Sequence, residues 1–407
     1  MRRRFYETLR FRCTLPRARF SGSVRLLLVL AMAAFCGGCG EQKPEACCNG
    51  RARIAVVAPL SGSLQEEGQM LRLGALTAVR EAQGRAAELR VEMVVHESPC
   101  NADKAARVAR RVAEDTSVSL VVGYLCAEAV CSVLPIYSEA DLALISPTVS
   151  AEYVHKEESR HLFPLLYGDS EQAAFLAAYI KKALALTRVA VLSDESAYGR
   201  MLMSSFMAEA KRQKLKVVGY ASSSPEPVEV ARVVDLFKGA DPEAIFLAAY
   251  PETARLFLLE RHRQNLGGKV LSPDPLADRD LYEVTGQAVE GLLVCQPLLL
   301  DTGNPTVAGF VRRFEQFHKR QPDWIAAGAY DAMRLALEVL DRSGPRRVAV
   351  LRGLRAIAGP DTAFRCLSGP LFFRKEGGNR RRFFVGTFHQ GFFQPADPPS
   401  VQFHGSI

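Results

Sequence analysis

The chain has 407 residues, of which 48% are hydrophobic and 24% are charged, and its formal net charge at pH 7 is +8. This is the composition of an ordinary globular protein, and it excludes a disordered or low-complexity chain. A chain of this length exceeds what one hydrophobic core usually serves, so we expect two lobes. The excess of basic over acidic residues by itself favours nucleic acid or an anionic membrane surface as a partner.

The excess positive charge is concentrated at the amino terminus. Residues 1–25 contain eight arginines and a single acid, Glu7, and an uncharged apolar run follows over residues 26–35. A basic region, a short apolar core and small residues before a cleavage point are the layout of a secretory signal peptide. Removing residues 1–38 reduces the 52 basic and 44 acidic residues to 44 and 43. Nucleic-acid binding thereby loses its support from composition.

The end of this segment resembles the lipobox of bacterial lipoproteins, in which a cysteine after the cleavage point receives lipid. Cys39 follows two glycines, whereas Cys36 stands where the lipobox usually has leucine. We expect a signal peptide over residues 1–38, lipid on Cys39 and a polar tether over residues 39–50. A short transmembrane anchor is the alternative, although a spanning helix needs about 20 apolar residues. A start codon further downstream, for example at Val24, is also open.

From residue 53 the chain alternates strand-like apolar runs with stretches of helical periodicity. In the first half, strands are predicted over residues 53–58, 89–95, 119–122 and 143–145. Helices are predicted between them over residues 66–83, 102–115 and 127–139. After Asp169, strands are predicted over residues 188–192, 216–219, 244–247 and 291–295. The helices of this second half are predicted over residues 171–185, 199–213, 227–238 and 252–265.

Repeated strand–helix alternation predicts an α/β fold of two doubly wound parallel sheets, each covered by helices on both faces. Such sheets bind ligands at the carboxyl ends of their strands, which suggests a cleft between the lobes. Helices over residues 305–319, 325–342 and 347–356 would return to the first lobe, and strands over 370–373 and 383–388 would cross again. We assign residues 51–168 plus 298–373 to lobe 1 and residues 169–297 plus 374–407 to lobe 2.

Short motifs follow most of the predicted strands. They are Ala58-Pro59-Leu60-Ser61-Gly62 with Gly68, Gly123-Tyr124-Leu125-Cys126, Ile145-Ser146-Pro147, Asp194 with Tyr198-Gly199, Ala248-Ala249-Tyr250, Glu290-Gly291, Ala329-Tyr330-Asp331-Ala332 and Gly369-Pro370-Leu371. In this order the chain resembles the periplasmic branched-chain amino-acid-binding proteins from about residue 53 to residue 393. The resemblance implies the type I periplasmic binding protein fold, with crossover hinge strands joining two lobes.

The resemblance also implies a disulfide. Leucine-type members of this family bridge a cysteine after the second strand to one just after the third, and the matching residues are Cys100 and Cys126. Their thiols would be oxidised in an extracytoplasmic compartment. Buried free thiols are the alternative, Cys131 is a competing partner, and a bond between Cys295 and Cys366 is left open.

An amino-acid ligand presents a carboxylate and an ammonium, so its site needs hydrogen-bond donors for the first and a carboxylate for the second. In the resembling family, the ligand carboxylate lies against the loop after the third strand, where this chain has Ala127 in place of a hydroxyl residue. Ser150 matches a hydroxyl of the next loop, and Thr148 matches a position that contributes backbone atoms. Glu67 replaces a ring-bearing residue, and with Glu128 nearby it favours a more polar or cationic ligand than an aliphatic amino acid.

From the second lobe, Tyr198 and Tyr250 match aromatic residues that close over the ligand, and Asp274 matches an acid that faces the ammonium. Each residue also has a structural interpretation. A tyrosine after a strand is commonly a packed loop residue, Asp274 between two prolines is suited to a turn, and Ser150 is suited to capping the next segment.

The sequence lacks the motifs that carry common enzyme chemistry. There is no Walker loop, no Gly-x-Ser-x-Gly, no His-Glu-x-x-His, and no Gly-x-Gly-x-x-Gly after the first strand. We therefore expect no catalysis, cofactor or metal. The expected protein is an extracytoplasmic, lipid-anchored monomer that closes over an amino acid or a similar small polar metabolite and delivers it to an ABC permease. The alternatives are a ligand-sensing receptor subunit, or a protein that has kept the fold for a non-amino-acid solute.

Overall fold

The computed structural model describes residues 51–62, 64–83, 90–154, 158–277, 279–298, 300, 303–373 and 383–398. The predicted signal peptide, the tether and Cys39 lie outside these residues. Among the helices of the described part, none combines the length and the hydrophobicity that are needed to cross a membrane.

The first sheet is built from the amino-terminal strands. They are β1 (Arg51–Ala58), β2 (Arg90–Glu97), β3 (Val118–Gly123), β4 (Ala143–Ser146) and β5 (Leu162–Pro164), and the helices between them are α1 (Gln65–Gln83), α2 (Ala102–Glu114) and α3 (Ala127–Glu139). The strands are all parallel, in the order β2-β1-β3-β4-β5. Ile54 and Val56 of β1 face one hydrophobic cluster, whereas Ala55 and Val57 face another. The sheet is therefore covered on both faces.

The second sheet repeats this plan. Its parallel strands are β6 (Arg188–Asp194), β7 (Lys216–Ser223), β8 (Ala244–Ala248), β9 (Lys269–Ser272) and β10 (Leu293–Gln296), and its helices are α4 (Asp169–Lys182), α5 (Ala197–Arg212), α6 (Pro227–Ala240), α7 (Pro251–Arg263) and α8 (Arg279–Thr285). Val189 and Val191 of β6 face the cluster formed with α4 and α5, and Ala190 and Leu192 face the cluster formed with α6 and α7.

The carboxyl-terminal part returns to the first sheet and then leaves it again. Its elements are α9 (Pro305–His318), α10 (Trp324–Ser343), α11 (Arg347–Arg355), β11 (Phe364–Cys366), β12 (Gly369–Leu371), β13 (Phe384–His389) and β14 (Phe392–Pro395). The helices pack into the same cluster as α1, on one face of the first sheet. β13 joins the second sheet, whose full order is β14-β13-β10-β9-β8-β6-β7.

Two expectations for these last strands need correction. The strand predicted over residues 370–373 does not enter a large sheet, because β12 pairs with β11 in a local hairpin whose turn is followed by Gly369 in a positive-φ conformation. The strand predicted over residues 383–388 crosses to the second sheet as expected, but β13 runs antiparallel to β10. β13 and β14 form an antiparallel pair at one edge of the sheet, and antiparallel additions at the edge of an otherwise parallel sheet are common.

The disulfide between Cys100 and Cys126 is present and confirms the pairing implied by the resemblance. It closes a loop with a sequence separation of 26 residues, which stabilises the fold by about 3.5 kcal/mol in the chain-entropy model. The competing partner, Cys131, is therefore excluded from this bond. The bond between Cys295 and Cys366, which the sequence left open, is excluded because these buried residues lie in the cores of different sheets.

Trp324 connects the two halves of the fold. This residue begins α10, and its side chain packs against the cores of both sheets. A second connection is polar, since Glu152 in the turn after β4 accepts a hydrogen bond of 3.0 Å from the backbone N–H of Ser170 in α4. Both contacts join residues of the first sheet's half to residues of the second.

Gly74 provides a test of the packing between α1 and α10. A Cβ atom at this residue would lie 2.1 Å from the carbonyl oxygen of Ala326, so Gly74→Ala requires two backbones to separate. We expect the free energy of unfolding to fall by about 1–3 kcal/mol. Gly239 in α6 has nothing within 4 Å of its Cβ position, and Gly239→Ala should be neutral or stabilising by up to about 1 kcal/mol. Denaturant unfolding of both variants checks this, and an unchanged midpoint for Gly74→Ala would contradict the packing.

Candidate functional site

The structure places every predicted ligand-binding residue after the carboxyl end of a strand. In the first sheet, Glu67 lies in the first turn of α1, Ala127 begins α3, and Thr148 and Ser150 follow β4. In the second sheet, Tyr198 lies in the first turn of α5, Tyr250 precedes α7, and Asp274 follows β9. These loops are where a doubly wound sheet presents its polar groups to a ligand.

The hydroxyl of Thr148 is used to join two loops of the first sheet. Its Oγ1 donates to the carbonyl oxygens of Tyr124 at 3.0 Å and Leu125 at 3.1 Å. The loop after β4 is therefore fastened to the loop after β3. Thr148 can offer a ligand its backbone atoms, which is the role implied by the resemblance.

Ser150 is buried and caps the short helical turn Ala151–Tyr153, because its Oγ accepts a hydrogen bond of 3.4 Å from the backbone N–H of Glu152. Ser150 therefore has the capping role that its structural interpretation predicts. Acceptance of that bond leaves the hydroxyl proton able to donate to a ligand.

Ala127 adds no hydrogen-bonding side chain to the start of α3. The preceding residue, Cys126, occupies the N-cap position, and its side chain forms no capping hydrogen bond. The first backbone N–H groups of a helix have no partner within the helix, and they favour an anion. Backbone groups are therefore the donors that this part of the site offers to a carboxylate.

Glu67 carries a buried carboxylate oxygen, Oε2, that has no hydrogen-bond partner among the described residues. In the same part of the structure, Ser98 follows the neighbouring strand β2 and likewise has a buried Oγ with no described partner. Ser98 was not predicted as a site residue, because a serine after a strand has no distinguishing pattern. Glu128, the other acid considered near this site, is exposed.

Tyr198 and Tyr250 form an aromatic pair on the second sheet. Their rings are stacked, with centroids 4.7 Å apart and planes at 25°. Tyr198 is buried, whereas Tyr250 is 44% exposed and presents its ring at the surface of the site. Asp194 supports the pair, since its Oδ2 accepts a hydrogen bond of 2.8 Å from the backbone N–H of Tyr250.

Asp274 is buried in the short helical turn Asp274–Leu276. Its backbone N–H donates to Oε1 of Gln172 at 2.8 Å, whereas its own Oδ2 and the Nε2 of Gln172 have no hydrogen-bond partner among the described residues. Burial raises the pKa of the Asp274 carboxyl to about 7, although the amide of Gln172 acts in the opposite direction. The site thus contains a buried acceptor and a buried donor that the described part of the protein leaves unsatisfied.

The second-sheet loops are strongly acidic. The pKa of Tyr250 is raised to about 12, first by the partial burial of this side chain and then by the carboxylates of Asp169, Asp194, Asp274 and Glu252. Because all of these charged groups are acids, the surface around Tyr250 suits a positively charged ligand group.

One further feature lies away from these loops. A cavity of about 350 Å³ opens at the amino edge of the second sheet, next to Arg261, Lys269 and Glu290. It is at the opposite ends of the strands from Tyr250 and Asp274. Within the described residues, no three His, Cys, Asp or Glu side chains are arranged to hold a metal ion.

Comparison with known proteins identifies the fold and the family. The family model described as periplasmic binding protein matches residues 51–389. The leucine-, isoleucine-, valine-, threonine-, and alanine-binding protein of Pseudomonas aeruginosa is 22% identical over 330 residues, which cover 80% of this chain and 86% of that protein.

Solved structures give the same result for the fold. The branched-chain amino acid transporter substrate binding protein LivJ from Streptococcus pneumoniae, in complex with isoleucine, has a TM-score of 0.74 at 18% identity and covers 84% of this chain and 97% of its own. A solute binding protein of an ABC transporter from R. palustris, in complex with benzoate, has a TM-score of 0.71 at 18% identity. It covers 85% of this chain and 95% of its own. The predicted α/β fold is confirmed.

The family match also confirms the resemblance to branched-chain amino-acid-binding proteins and the prediction that this is not an enzyme. Members of this family bind solutes and are not enzymes. The structure and the comparisons agree over nearly all of the chain after residue 50. The chain therefore belongs to the periplasmic binding protein family.

Proposed function

We propose that the protein captures an amino acid, or a similar small metabolite with an ammonium group, between the carboxyl edges of its two sheets. The observation that carries this proposal is the Asp274 carboxyl, which is buried and has an Oδ2 without a partner in the described structure. A buried polar atom without a partner costs about 1–3 kcal/mol. A ligand ammonium would supply the missing hydrogen bond and the missing charge.

The carboxylate of the ligand would bind to the first sheet. The uncapped amino terminus of α3 at Ala127 offers backbone N–H groups, and Ser150 has a hydroxyl proton that its capping bond does not use. The backbone near Thr148 completes this half of the site. The two ends of an amino acid are then recognised by different sheets.

Binding to two sheets favours closure of the protein around the ligand. We assign residues 51–168 plus 298–373 to one lobe and residues 169–297 plus 374–407 to the other, with hinges where the chain passes between the sheets. Tyr198, Tyr250 and Asp274 would close over a ligand that is already docked on the first lobe. A ligand that contacts both lobes stabilises the closed form by its additional contacts there.

The closed form is the species that an ABC permease would recognise, so the role that follows is uptake of a solute outside the inner membrane. Lipid on Cys39 would hold the protein close to that permease, because an anchor with more than one acyl chain is stable where a single chain is marginal. The protein would act as a monomer.

Ligand-dependent thermal unfolding tests this function. The purified protein is screened against all amino acids, small amides and carboxylates, and a ligand at about 100 times its Kd should add about 2.7 kcal/mol of stability. Asp274→Ala should abolish the shift, whereas Asp235→Ala, on the exposed face of α6, should keep it. Stabilisation by benzoate-like carboxylates alone would assign the protein to a solute without an ammonium. The absence of any shift with amino acids would contradict the proposal.

The burial of Asp274 has a separate consequence for stability. Its folded pKa of about 7 exceeds the value of about 3.9 for an exposed aspartate, so the folded state binds the proton more tightly than the unfolded state. Stability contributed by the protonated carboxyl is therefore lost as pH rises from about 4 to about 7. Asp274→Asn, which never ionises, should increase the free energy of unfolding of the ligand-free protein.

That increase should be roughly 2–3 kcal/mol larger at pH 8 than at pH 5, as measured by denaturant unfolding. Asp235→Asn serves as the exposed control and should show no comparable pH dependence. If Asp274→Asn were less stable than the wild type at pH 8, the ionised carboxylate would have a stabilising partner in the folded protein, and the cost assigned to its burial would be wrong.

A further inference from the structure

We propose that the ligand is a basic amino acid, with its side-chain guanidinium or ammonium held by Glu67 and Ser98 on the first lobe. This inference rests on the proposed function, since it concerns the side-chain end of the same ligand. The side-chain end of the ligand would lie in a part of the site that is separate from Asp274 and from the amino terminus of α3.

Glu67 and Glu66 are neighbours on α1, but their carboxylates differ in environment. Glu66 is exposed and forms an ion pair with Arg320. Glu67 is partly buried, and its Oε2 is fully buried without a hydrogen-bond partner among the described residues. A carboxylate accepts hydrogen bonds and cannot donate them, so the missing partner of Glu67 is a donor. An ionised carboxylate binds a cationic donor more strongly than a neutral one.

Ser98 lies on the same part of the first sheet. Its backbone N–H donates to the carbonyl oxygen of Ala58 at 2.9 Å, immediately before Pro59. Gly68, next to Glu67, packs against this same segment, because a Cβ there would lie 1.6 Å from the carbonyl oxygen of Pro59. Glu67 and Ser98 therefore flank one short segment of backbone. Their oxygens, which have no partner in the described structure, provide a carboxylate and a hydroxyl, and these suit a group with several N–H donors.

Acidic groups also lie at the candidate site on both sheets. Asp169, Asp194, Asp274 and Glu252 all act on Tyr250 from the second sheet, and Glu67 adds a carboxylate from the first. A zwitterion with an aliphatic side chain would bury Glu67 further and leave its oxygen unpaired, at a cost in affinity. A ligand with a second positive charge would pair with acidic groups on both lobes.

Arginine and citrulline provide a matched pair for the test, because they have nearly the same shape and only arginine carries a charged side chain. Isothermal titration of the purified protein should give a Kd for arginine that is about tenfold or more below that for citrulline. Leucine should bind more weakly than arginine. In Glu67→Gln, the ratio of the two dissociation constants should fall towards one, whereas in Glu66→Gln, which removes the neighbouring exposed carboxylate, it should stay at the wild-type value.

The outcomes separate this inference from the proposed function. If leucine and citrulline bind as tightly as arginine, and Asp274→Ala abolishes binding of all three, the amino-acid function stands and the cationic class is wrong. An arginine preference that persists in Glu67→Gln would also overturn the assignment of Glu67. If no amino acid binds, both are wrong. The melting temperature of Glu67→Gln, measured alongside, shows whether the variant is folded.

Discussion

Burial of the parallel strands on both faces is the constraint on which the rest of the structure depends. Every residue of β3 and of β8 is buried, so these strands can carry only side chains that pack. Their backbone groups are used by the neighbouring strands of each sheet. Polar chemistry is thereby confined to the ends of the strands. Within the described residues, the unpartnered oxygens of Glu67, Ser98 and Asp274 lie at the carboxyl ends.

These unpartnered atoms reduce the stability of the ligand-free protein. Ionisation of the buried Asp274 carboxyl lowers the free energy of unfolding, because the charged form is poorly solvated. The raised pKa of that carboxyl has the same physical cause. Nearby polar groups are satisfied in contrast: Asp194 accepts from the backbone of Tyr250, and Thr148 donates to two carbonyls. The proposed site thus combines polar groups whose hydrogen bonds are satisfied within the protein with a few atoms that a ligand would satisfy.

Periodicity was sufficient to predict the long elements, because helices such as α1 and strands such as β1 repeat an apolar pattern over many residues. It missed β5, β9, β11 and β14, which span three or four residues each, since so short a run gives only a weak periodic signal. Periodicity also could not predict the direction of β13, because the partners of a strand in a sheet are determined by tertiary contacts.

The candidate site likewise contains some residues that the sequence predicts and others that it does not. The resemblance to the family placed Ser150, Tyr250 and Asp274 at the carboxyl edges of the sheets, where the structure also has them. It gave no indication of Gln172, whose side-chain amide accepts a hydrogen bond from the backbone of Asp274, 102 residues away in the sequence. Ser98 was missed for a similar reason. Partners brought together by folding have no signature in a local pattern, and the unsatisfied atoms that suggest a ligand become visible only in three dimensions.

A crystal structure of the protein saturated with an amino acid that stabilises it would test the central claim most directly. We expect the ligand between the carboxyl edges of the two sheets, with its ammonium nitrogen within about 3 Å of Asp274 Oδ2, a normal hydrogen-bond distance, and the ring of Tyr250 over it. A ligand in the cavity beside Arg261, or bound with Asp274 Oδ2 still unpartnered, would contradict that claim.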